Sequence, residues 1–555
     1  MNRSRFPFVL IFALALAQSS LPAESQTAVI DQAQVERAED LSEALANQLH
    51  DLSLSLRDRD RVAIAKHFDT DLSASPWPPL AGDRAAQTQW IDVLHTPLSD
   101  RLVDRQAYLD SWQTFVDNLA SIEDIRIKVK SADFEELAKP RTEAVIAISI
   151  VGRNIAGHRA WVEAKAHLQA VRIDEQWRID HFELTTVVVR AARIDLFSEV
   201  SLPAGVYQAA PPFGTPGNPS FIAHGVAAAD VNGDGLLDAF ATGQGANYLY
   251  LNQGDGTFVD YAAEAGVRIT PNATAPLFVD VDNDGDIDLF LASTGNQMLF
   301  ENRLLPDGTL SFHDVSLPSG VDQFAQGYSA VSADVNGDGL PDIYVASYNR
   351  YGVVMPDSWS HATNGTANLL FINQGDGRFQ QLAQPWGVAD SRWSYAAHFG
   401  DFNGDDRQDL YVANDFGENA VYLNQGDHFT DAAGALGMLD PGNGMGVSLG
   451  DFDNDGRIDI HVTNMSSTAG KRILTRLFPD GAGMAGETRV LGKLAAGSSL
   501  FRNCGDGTYE EVSSTVGPFT AGWAWGGGFI DFDNDGWQDI HAPNGFVSGK
   551  SLKDT

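Results

Sequence analysis

Six short acidic segments constrain this chain more than any other feature. They read DVNGDGLLD (230–238), DVDNDGDID (280–288), DVNGDGLPD (334–342), DFNGDDRQD (401–409), DFDNDGRID (451–459) and DFDNDGWQD (531–539). Each sets an oxygen-bearing side chain at positions one, three, five and nine, and all but the fourth set Gly at position six. Carboxylates at alternate positions of a tightly curved loop converge on one point, Gly permits the sharp turn, and a position-seven carbonyl can add a ligand. Asp406 stands where the other loops have Gly, so the fourth loop is the least regular. Together the loops hold 23 aspartates, which repel one another unless a cation neutralises them. Asp, Asn and Gly are ordinary turn formers, and one such segment would decide nothing; six with the same offsets predict metal loops.

The expected ligands are Asp230, Asn232, Asp234 and Asp238; Asp280, Asp282, Asp284 and Asp288; Asp334, Asn336, Asp338 and Asp342. The later loops add Asp401, Asn403, Asp405 and Asp409; Asp451, Asp453, Asp455 and Asp459; Asp531, Asp533, Asp535 and Asp539. Calcium, several ions per chain, is the expected cofactor. Magnesium prefers a near-octahedral site that keeps its waters, and the absence of His and Cys at these offsets disfavours zinc and copper. No Glu stands at position twelve and apolar residues follow at once, so the loops belong to β-hairpins, not EF-hands.

Each loop is one part of a longer repeat. An aromatic-led segment, expected as a strand, recurs at 197–206, 258–267, 312–321, 379–388, 429–438 and 509–518. A strand ending in a tight turn recurs as LYLNQGDGTF (249–258), LLFINQGDGRF (369–379), VYLNQGDHF (421–429) and LFRNCGDGTY (500–509), altered in the second unit to 299–312. Asp-Gly between apolar residues is a strong hairpin signal, and units of short strands 50 to 80 residues apart fit propeller blades. The expected architecture is mainly β, a six- or seven-bladed β-propeller over 197–547, with insertions at 349–367 and 466–498 as surface loops. The sixth unit ends without its turn-bearing strand. The expectation is a truncated tail at 548–555, with ring closure by Phe197–Val206 as the alternative.

The first 193 residues have another texture. Arg3 and Arg5 precede an apolar run from Phe6 to Ala17 and then small residues, the pattern of a signal peptide over 1–23. Leu41, Leu45, Leu49, Leu52 and Leu56 recur at helical spacing, a less regular stretch near Trp77 follows, and extended runs occupy 125–134, 143–152, 158–174 and 176–189. In the third run Trp161, Glu163, Lys165 and His167 share one wet face. Helices followed by a curved antiparallel sheet, closed by WRIDHF (177–182), resemble the NTF2-like (SnoaL-like) cone fold, giving an α+β domain over 30–193. That resemblance implies a pocket, which His167, Asp180 and His181 are placed to line; solvent-facing strand positions explain them equally well.

Asp and Glu number 74 against 37 Lys and Arg, a net charge of −37, which excludes nucleic acid as a partner and repels anionic membrane. No segment carries a stable membrane span. A single cysteine, Cys504, excludes an internal disulfide and any cysteine-built metal site. His224, His398, His461 and His541 fall near the loops and read as repeated strand residues before a ring of imidazoles. Trp523 and Trp525 read as blade packing before a glycan-stacking patch. No nucleophile elbow, phosphate loop or zinc-protease motif is present.

Over 197–547 the loop, strand and turn in order resemble the FG-GAP/VCBS repeats of integrin α-subunit propellers. The wider chain looks like the ASPIC/UnbV (cartilage acidic protein-like) family. The resemblance implies calcium on the lower face, held by positions one, three, five and nine, with ligands engaged by other loops. The expected function is an exported, periplasmic or extracellular calcium-binding propeller that binds an extracellular protein or glycan. Two alternatives stand beside it: an enzyme in the cone pocket or propeller mouth, and a structural matrix or surface component.

Overall fold

A leucine at every third or fourth position builds the first element. Leu41, Leu45, Leu49, Leu52 and Leu56 line one side of helix α1 (Gln32–Arg57), each at most 3% exposed. The computed structural model describes residues 32–543 except 81–82, 88–89, 135–139, 196, 209–224, 244, 269–271, 351–352, 468–469, 471–486, 518–521 and 523. The expected signal peptide (1–23), the tail (548–555), His224 and Trp523 lie outside the described residues. The chain divides into two compact units, one reaching Glu199 and the other beginning at Val200.

In the first unit, Asp60 starts helix α2 (Arg61–Ala65) by accepting from the Val62 and Ala63 N–H groups at 3.0 Å each. Asp104 starts helix α3 (Arg105–Val116) in the same way. The sheet comprises β1 (Phe68–Ala74), β2 (Asp83–Gln87), β3 (Ile91–His95), β4 (Leu119–Phe134), β5 (Arg141–Asn154), β6 (Arg159–Ile173) and β7 (Gln176–Ala192). Its order is β2-β3-β7-β6-β5-β4, with β1 parallel to β7 and the other pairs antiparallel. The four long strands cover the expected runs. The stretch that reads as irregular holds β1, β2, β3 and α3.

The alternation of β6 sets Trp161, Glu163, Lys165 and His167 on the wetter face and Ala160, Val162, Ala164, Ala166 and Leu168 on the buried one. The interior is filled: leucines of α1, Trp77, Tyr108, Trp112 and Phe115 pack with the apolar faces of β4 to β7 in one cluster. The pocket expected there is therefore corrected. His167 is exposed, Asp180 pairs with Arg141 at 2.8 Å, and the His181 imidazole lies 3.7 Å from Glu183. Among the described residues these three side chains lie outside the apolar cluster of the cone interior. Among the described residues no helix is long and apolar enough to cross a membrane.

The second unit is a series of antiparallel blades. The first is β8 (Val226–Ala229), β9 (Asp238–Ala241), β10 (Tyr248–Asn252) and β11 (Phe258–Asp260); the second is β12 (Ala273–Val279), β13 (Asp288–Asn296), β14 (Met298–Asn302) and β15 (Phe312–Asp314). The third is β16 (Phe324–Ala333), β17 (Asp342–Ser347), β18 (Leu369–Asn373) and β19 (Phe379–Gln381); the fourth is β20 (Ser394–Gly400), β21 (Asp409–Asn414), β22 (Ala420–Asn424) and β23 (Phe429–Asp431). The fifth is β24 (Gly444–Gly450), β25 (Asp459–Asn464), β26 (Ser499–Asn503) and β27 (Tyr509–Glu511), and β28 (Gly528–Ile530) with β29 (Asp539–His541) begins a sixth. Adjacent blades meet through apolar faces, as where Phe290 packs 6.2 Å from Phe371, and the second and third are also joined in one eight-stranded sheet where Thr294, Gly295 and Asn296 of β13 pair with Gln326, Ala325 and Phe324 of β16.

The aromatic-led segments are not continuous strands. In five of them only the first three residues pair; the rest is a turn, helical at Ser316–Ser319, and four of these five turns end in a left-handed Gly. The cause is local. Asp314 accepts from the Ser316 N–H at 2.9 Å and starts the turn, and Asp260 and Asp431 do the same in their blades. The turn then latches onto the next blade. The Phe258, Phe312 and Phe429 N–H groups each donate to a preceding turn, to the carbonyls of Ala204, Ala265 and Trp386 at 2.9 Å. A Cβ on Gly437 would sit 2.6 Å from the Tyr509 carbonyl oxygen, so that close approach requires glycine. Phe197–Val206 carries the same turn and holds the first blade from its outer edge.

Candidate functional site

All six acidic loops close the same hairpin. The residue before the loop pairs with position nine in each: Ala229 with Asp238, Val279 with Asp288, Ala333 with Asp342, Gly400 with Asp409, Gly450 with Asp459 and Ile530 with Asp539. Each loop links the first and second strands of its blade, so all six lie at the same end of their sheets.

Inside the loop the carboxylates organise the backbone. Position one (Asp230, Asp280, Asp334, Asp401, Asp451 and Asp531) accepts from the N–H groups of positions five and six, at 2.7–3.2 Å. Position five (Asp234, Asp284, Asp338, Asp405, Asp455 and Asp535) accepts from the position-seven N–H at 2.9–3.0 Å. Two residues per loop are left-handed. Position six is Gly or Asp406, whose φ is +65°, and position four is Gly or Asn throughout. The need for such residues at position four is legible in the repeat, because they tolerate this conformation best.

Position nine is a buried staple. In five loops one carboxylate oxygen accepts from the position-two N–H at 2.9–3.2 Å. The other oxygen accepts at 2.8 Å from the N–H of an Asn on the third strand, namely Asn252, Asn302, Asn373, Asn424 or Asn503. Burial pushes Asp288 up to about 7 and Asp342, Asp409 and Asp459 up to about 6; neighbouring loop carboxylates add to the rise and the backbone donors oppose it. Asp238 and Asp539 shift the same way.

The third-strand Asn is the residue that sequence reasoning passed over as turn chemistry. Its side-chain amide donates to the position-eight carbonyl of its own loop at 3.1–3.3 Å. Asn302, Asn373 and Asn424 also donate to the position-two carbonyl of the preceding blade, Val231, Val281 and Val335, at 2.8–3.1 Å. One amide thus ties two acidic loops together. Its recurrence in every turn is the signal that could have found it.

The loops fall into two kinds. Where position three is Asn, its amide donates to the position-five carboxylate at 2.9–3.0 Å, as Asn232, Asn336 and Asn403 do. Where it is Asp, the carboxylates close up. Asp280, Asp282 and Asp288 bring one oxygen each within 4.8 Å of one another, as do Asp451, Asp453 and Asp459, and Asp531, Asp533 and Asp535. One Asp453 oxygen is buried without a hydrogen-bond donor among the described residues, and burial together with Asp284 pushes Asp282 up. Arg407 and Arg457 at position seven pair with Asp405 and Asp455 of their own loops. A cluster of hard, anionic oxygens short of donors is suited to a divalent cation.

The opposite end of the blades carries the connections between second and third strands. In the third blade Tyr348 packs 4.9 Å from Trp393 and from Tyr328, Phe416 lies 5.2 Å from Trp359, and half-buried Tyr395 lies 5.9 Å from Trp525. Beneath them the Tyr348 hydroxyl donates to buried Asp415, which burial pushes up to about 6. Among the described residues, His398, His461 and His541 do not assemble. His461 is buried and pushed down to about 4 by that burial, His541 is exposed, and His398 lines a cavity of about 260 Å³ with Leu277, Val331 and Gln408. His461 and His541 stand two residues after position nine, where other blades have Phe240, Phe290, Tyr344 and Tyr411. Cys504 is exposed in its turn.

A family model for an FG-GAP-like repeat matches residues 230–291, 280–345, 356–412 and 401–462. Cartilage acidic protein 1 of Mus musculus and of Homo sapiens are each 27% identical over 254 residues, a match covering 42% of this chain and 38% of each relative. Solved structures similar to the N-terminal part include a putative scytalone dehydratase from Novosphingobium aromaticivorans (TM-score 0.21, 15% identity, 30% of this chain and 99% of that one). Another is an NTF2-like protein of unknown function from Silicibacter pomeroyi (TM-score 0.17, 14% identity, 27% and 98%). An Agrocybe aegerita lectin that recognises non-reducing terminal N-acetylglucosamine is similar at TM-score 0.33 and 14% identity, over 85% and 99%.

Proposed function

From four FG-GAP-like repeats and relatedness to cartilage acidic protein, we propose an exported binding or adhesion module whose acidic loops hold structural calcium. The observation that carries this reading is the convergence of carboxylates in the loops at 280–288, 451–459 and 531–539, where one Asp453 oxygen is buried without a hydrogen-bond donor among the described residues. Asp280, Asp282, Asp284 and Asp288, and their counterparts, are the expected holders. Bound calcium would cancel their repulsion, and its binding free energy would add to folding. The chain's own contribution is the pre-formed loop: left-handed residues at positions four and six, backbone donors on position one, and the staple at position nine.

Recognition is assigned to the other end of the blades. The connection at 348–368 is long for a strand-to-strand link, and its aromatic cluster offers rigid, amphipathic surface of the kind that protein and glycan partners use. Screening the full chain against arrays of extracellular proteins and glycans would supply a partner. Trp359→Ala with Met355→Ala is then expected to abolish its binding while calcium uptake, read by equilibrium dialysis, stays unchanged. Loss of calcium uptake in that variant would overturn the separation of metal end from recognition end.

A further inference from the structure

The first unit holds a group of cations that its own chemistry leaves uncompensated. A cavity of about 320 Å³ is lined by Lys66, Arg105 and Arg178, together with Phe68, Asp69 and Thr70. Three elements bring the cations together. Lys66 ends α2 just before β1, Arg105 is the first residue of α3, and Arg178 precedes Ile179, which pairs with Phe68 where β1 runs parallel to β7.

Most other described arginines of this unit find carboxylates, although Arg59 meets the Leu119 carbonyl instead. Arg61 pairs with Asp110 at 2.6 Å, Arg141 with Asp180 at 2.8 Å and Arg193 with Asp92 at 2.8 Å. Among the described residues Lys66, Arg105 and Arg178 have no ion pair; the Arg178 guanidinium meets only the side-chain carbonyl of Gln176, at 3.4 Å. Asp69 lines the same wall, but one of its oxygens serves the Asp71 N–H at 3.0 Å and the Thr70 hydroxyl at 3.3 Å. The cavity therefore carries a net excess of two positive charges. Arg105 and Arg178 are half-buried, which raises the cost of their mutual repulsion above that of freely solvated side chains. His67, beside them, is held below its ordinary value chiefly by burial, with Asp51 opposing the shift and Arg178 and Lys66 adding to it.

We propose that this cavity binds a phosphate or sulfate group, free or esterified on a small molecule. Two guanidinium forks and one ammonium, converging from three elements, suit a multi-oxygen anion that accepts hydrogen bonds in several directions. The positive end of α3 lies at Arg105 and favours the same charge. The volume is at the lower end of small-molecule sites, about 300 Å³ upward, so it admits the anion with part of its carrier. The site is independent of the calcium loops.

The test is calorimetric titration of the full chain at constant ionic strength with sodium sulfate, glucose 6-phosphate and glucosamine 6-sulfate, with sodium chloride as the blank. Saturable binding is expected from at least one probe. It should weaken about tenfold or more in Lys66→Gln and in Arg105→Gln, a loss of about 1.4 kcal/mol or more. It should be unaffected by Arg126→Gln, an exposed arginine already paired with Asp124. Binding of sulfate itself identifies the free anion as sufficient, and binding of the esters alone assigns the site to the esterified group. Absence of saturable binding by all three probes, or binding unchanged in Lys66→Gln and Arg105→Gln, would overturn the proposal. Lys66 is exposed, so its variant tests the site even if Arg105→Gln fails to fold.

Discussion

The loops at 280–288 and 334–342 share one backbone path and solve the charge problem differently. Both have position one on the same two N–H groups and position nine stapled to the third strand. In the loop at 334–342, Asn336 neutralises part of the repulsion itself by donating to Asp338 at 2.9 Å. In the loop at 280–288, Asp282 adds a fourth carboxylate to the same four offsets instead. That loop spends its fourth residue on its neighbour: the Asn283 amide donates to the Gly339 carbonyl at 3.0 Å, and Asn454 does the same to Gly536. The acids at positions one, five and nine hold the hairpin in both kinds of loop. The third position decides how strongly a cation is required.

Asp288→Ala and Asp342→Ala remove the feature common to both kinds, leaving two buried backbone N–H groups without an acceptor. Each is expected to cost about 3 kcal/mol in denaturant unfolding, with or without calcium. Equal losses sharpen the comparison; a loss confined to the presence of calcium would mean that position nine acts through the metal alone. Asn373→Ala cuts the tie between the two loops at Val281 and is expected to cost about 2 kcal/mol by the same measurement. A smaller step separates the two loops themselves. Asp282→Asn should weaken calcium at its site roughly tenfold and Asn336→Asp should strengthen it, about 1.4 kcal/mol each way by titration calorimetry. No change in either would place position three outside the coordination shell.

The two states also differ in pH dependence. Asp288 has a folded value of about 7 and Asp342, Asp409 and Asp459 of about 6, all above an unfolded carboxylate. Without metal the native state binds more protons than the unfolded state, so these groups favour folding in acid. That contribution is lost as pH rises from about 4 to about 7. Calcium bound as proposed would keep the carboxylates ionised and reverse the slope. Melting curves across this window, in chelator and in calcium, should run in opposite directions.

Much of this was legible beforehand, for reasons that particular residues show. Six copies of one loop disclose their own register, and the leucines of α1 announce their helix. The short strands β1 to β3 and helix α3 were not legible, because segments of five to twelve residues among Pro and Trp leave no clear period. The aromatic-led segments read as strands until Asp260, Asp314 and Asp431 are placed beside the backbone whose turn they start. The third-strand Asn read as a turn former, since a bond to the preceding blade joins residues 71 to 92 positions apart. The cone interior resisted for another reason: a strand pattern says which residues point inward, not whether they leave a cavity.

The most direct test is scanning calorimetry of the full chain in millimolar calcium, in excess chelator and in magnesium, with hydrogen exchange assigning each transition to its unit. The first unit, built on its own apolar core, should melt at one temperature in all three. The blades should melt roughly 10 °C or more lower in chelator, since several sites at about 2.7 kcal/mol each are lost, and magnesium should not restore them. Blades that melt unchanged in chelator, or that magnesium protects as well as calcium, would contradict the account.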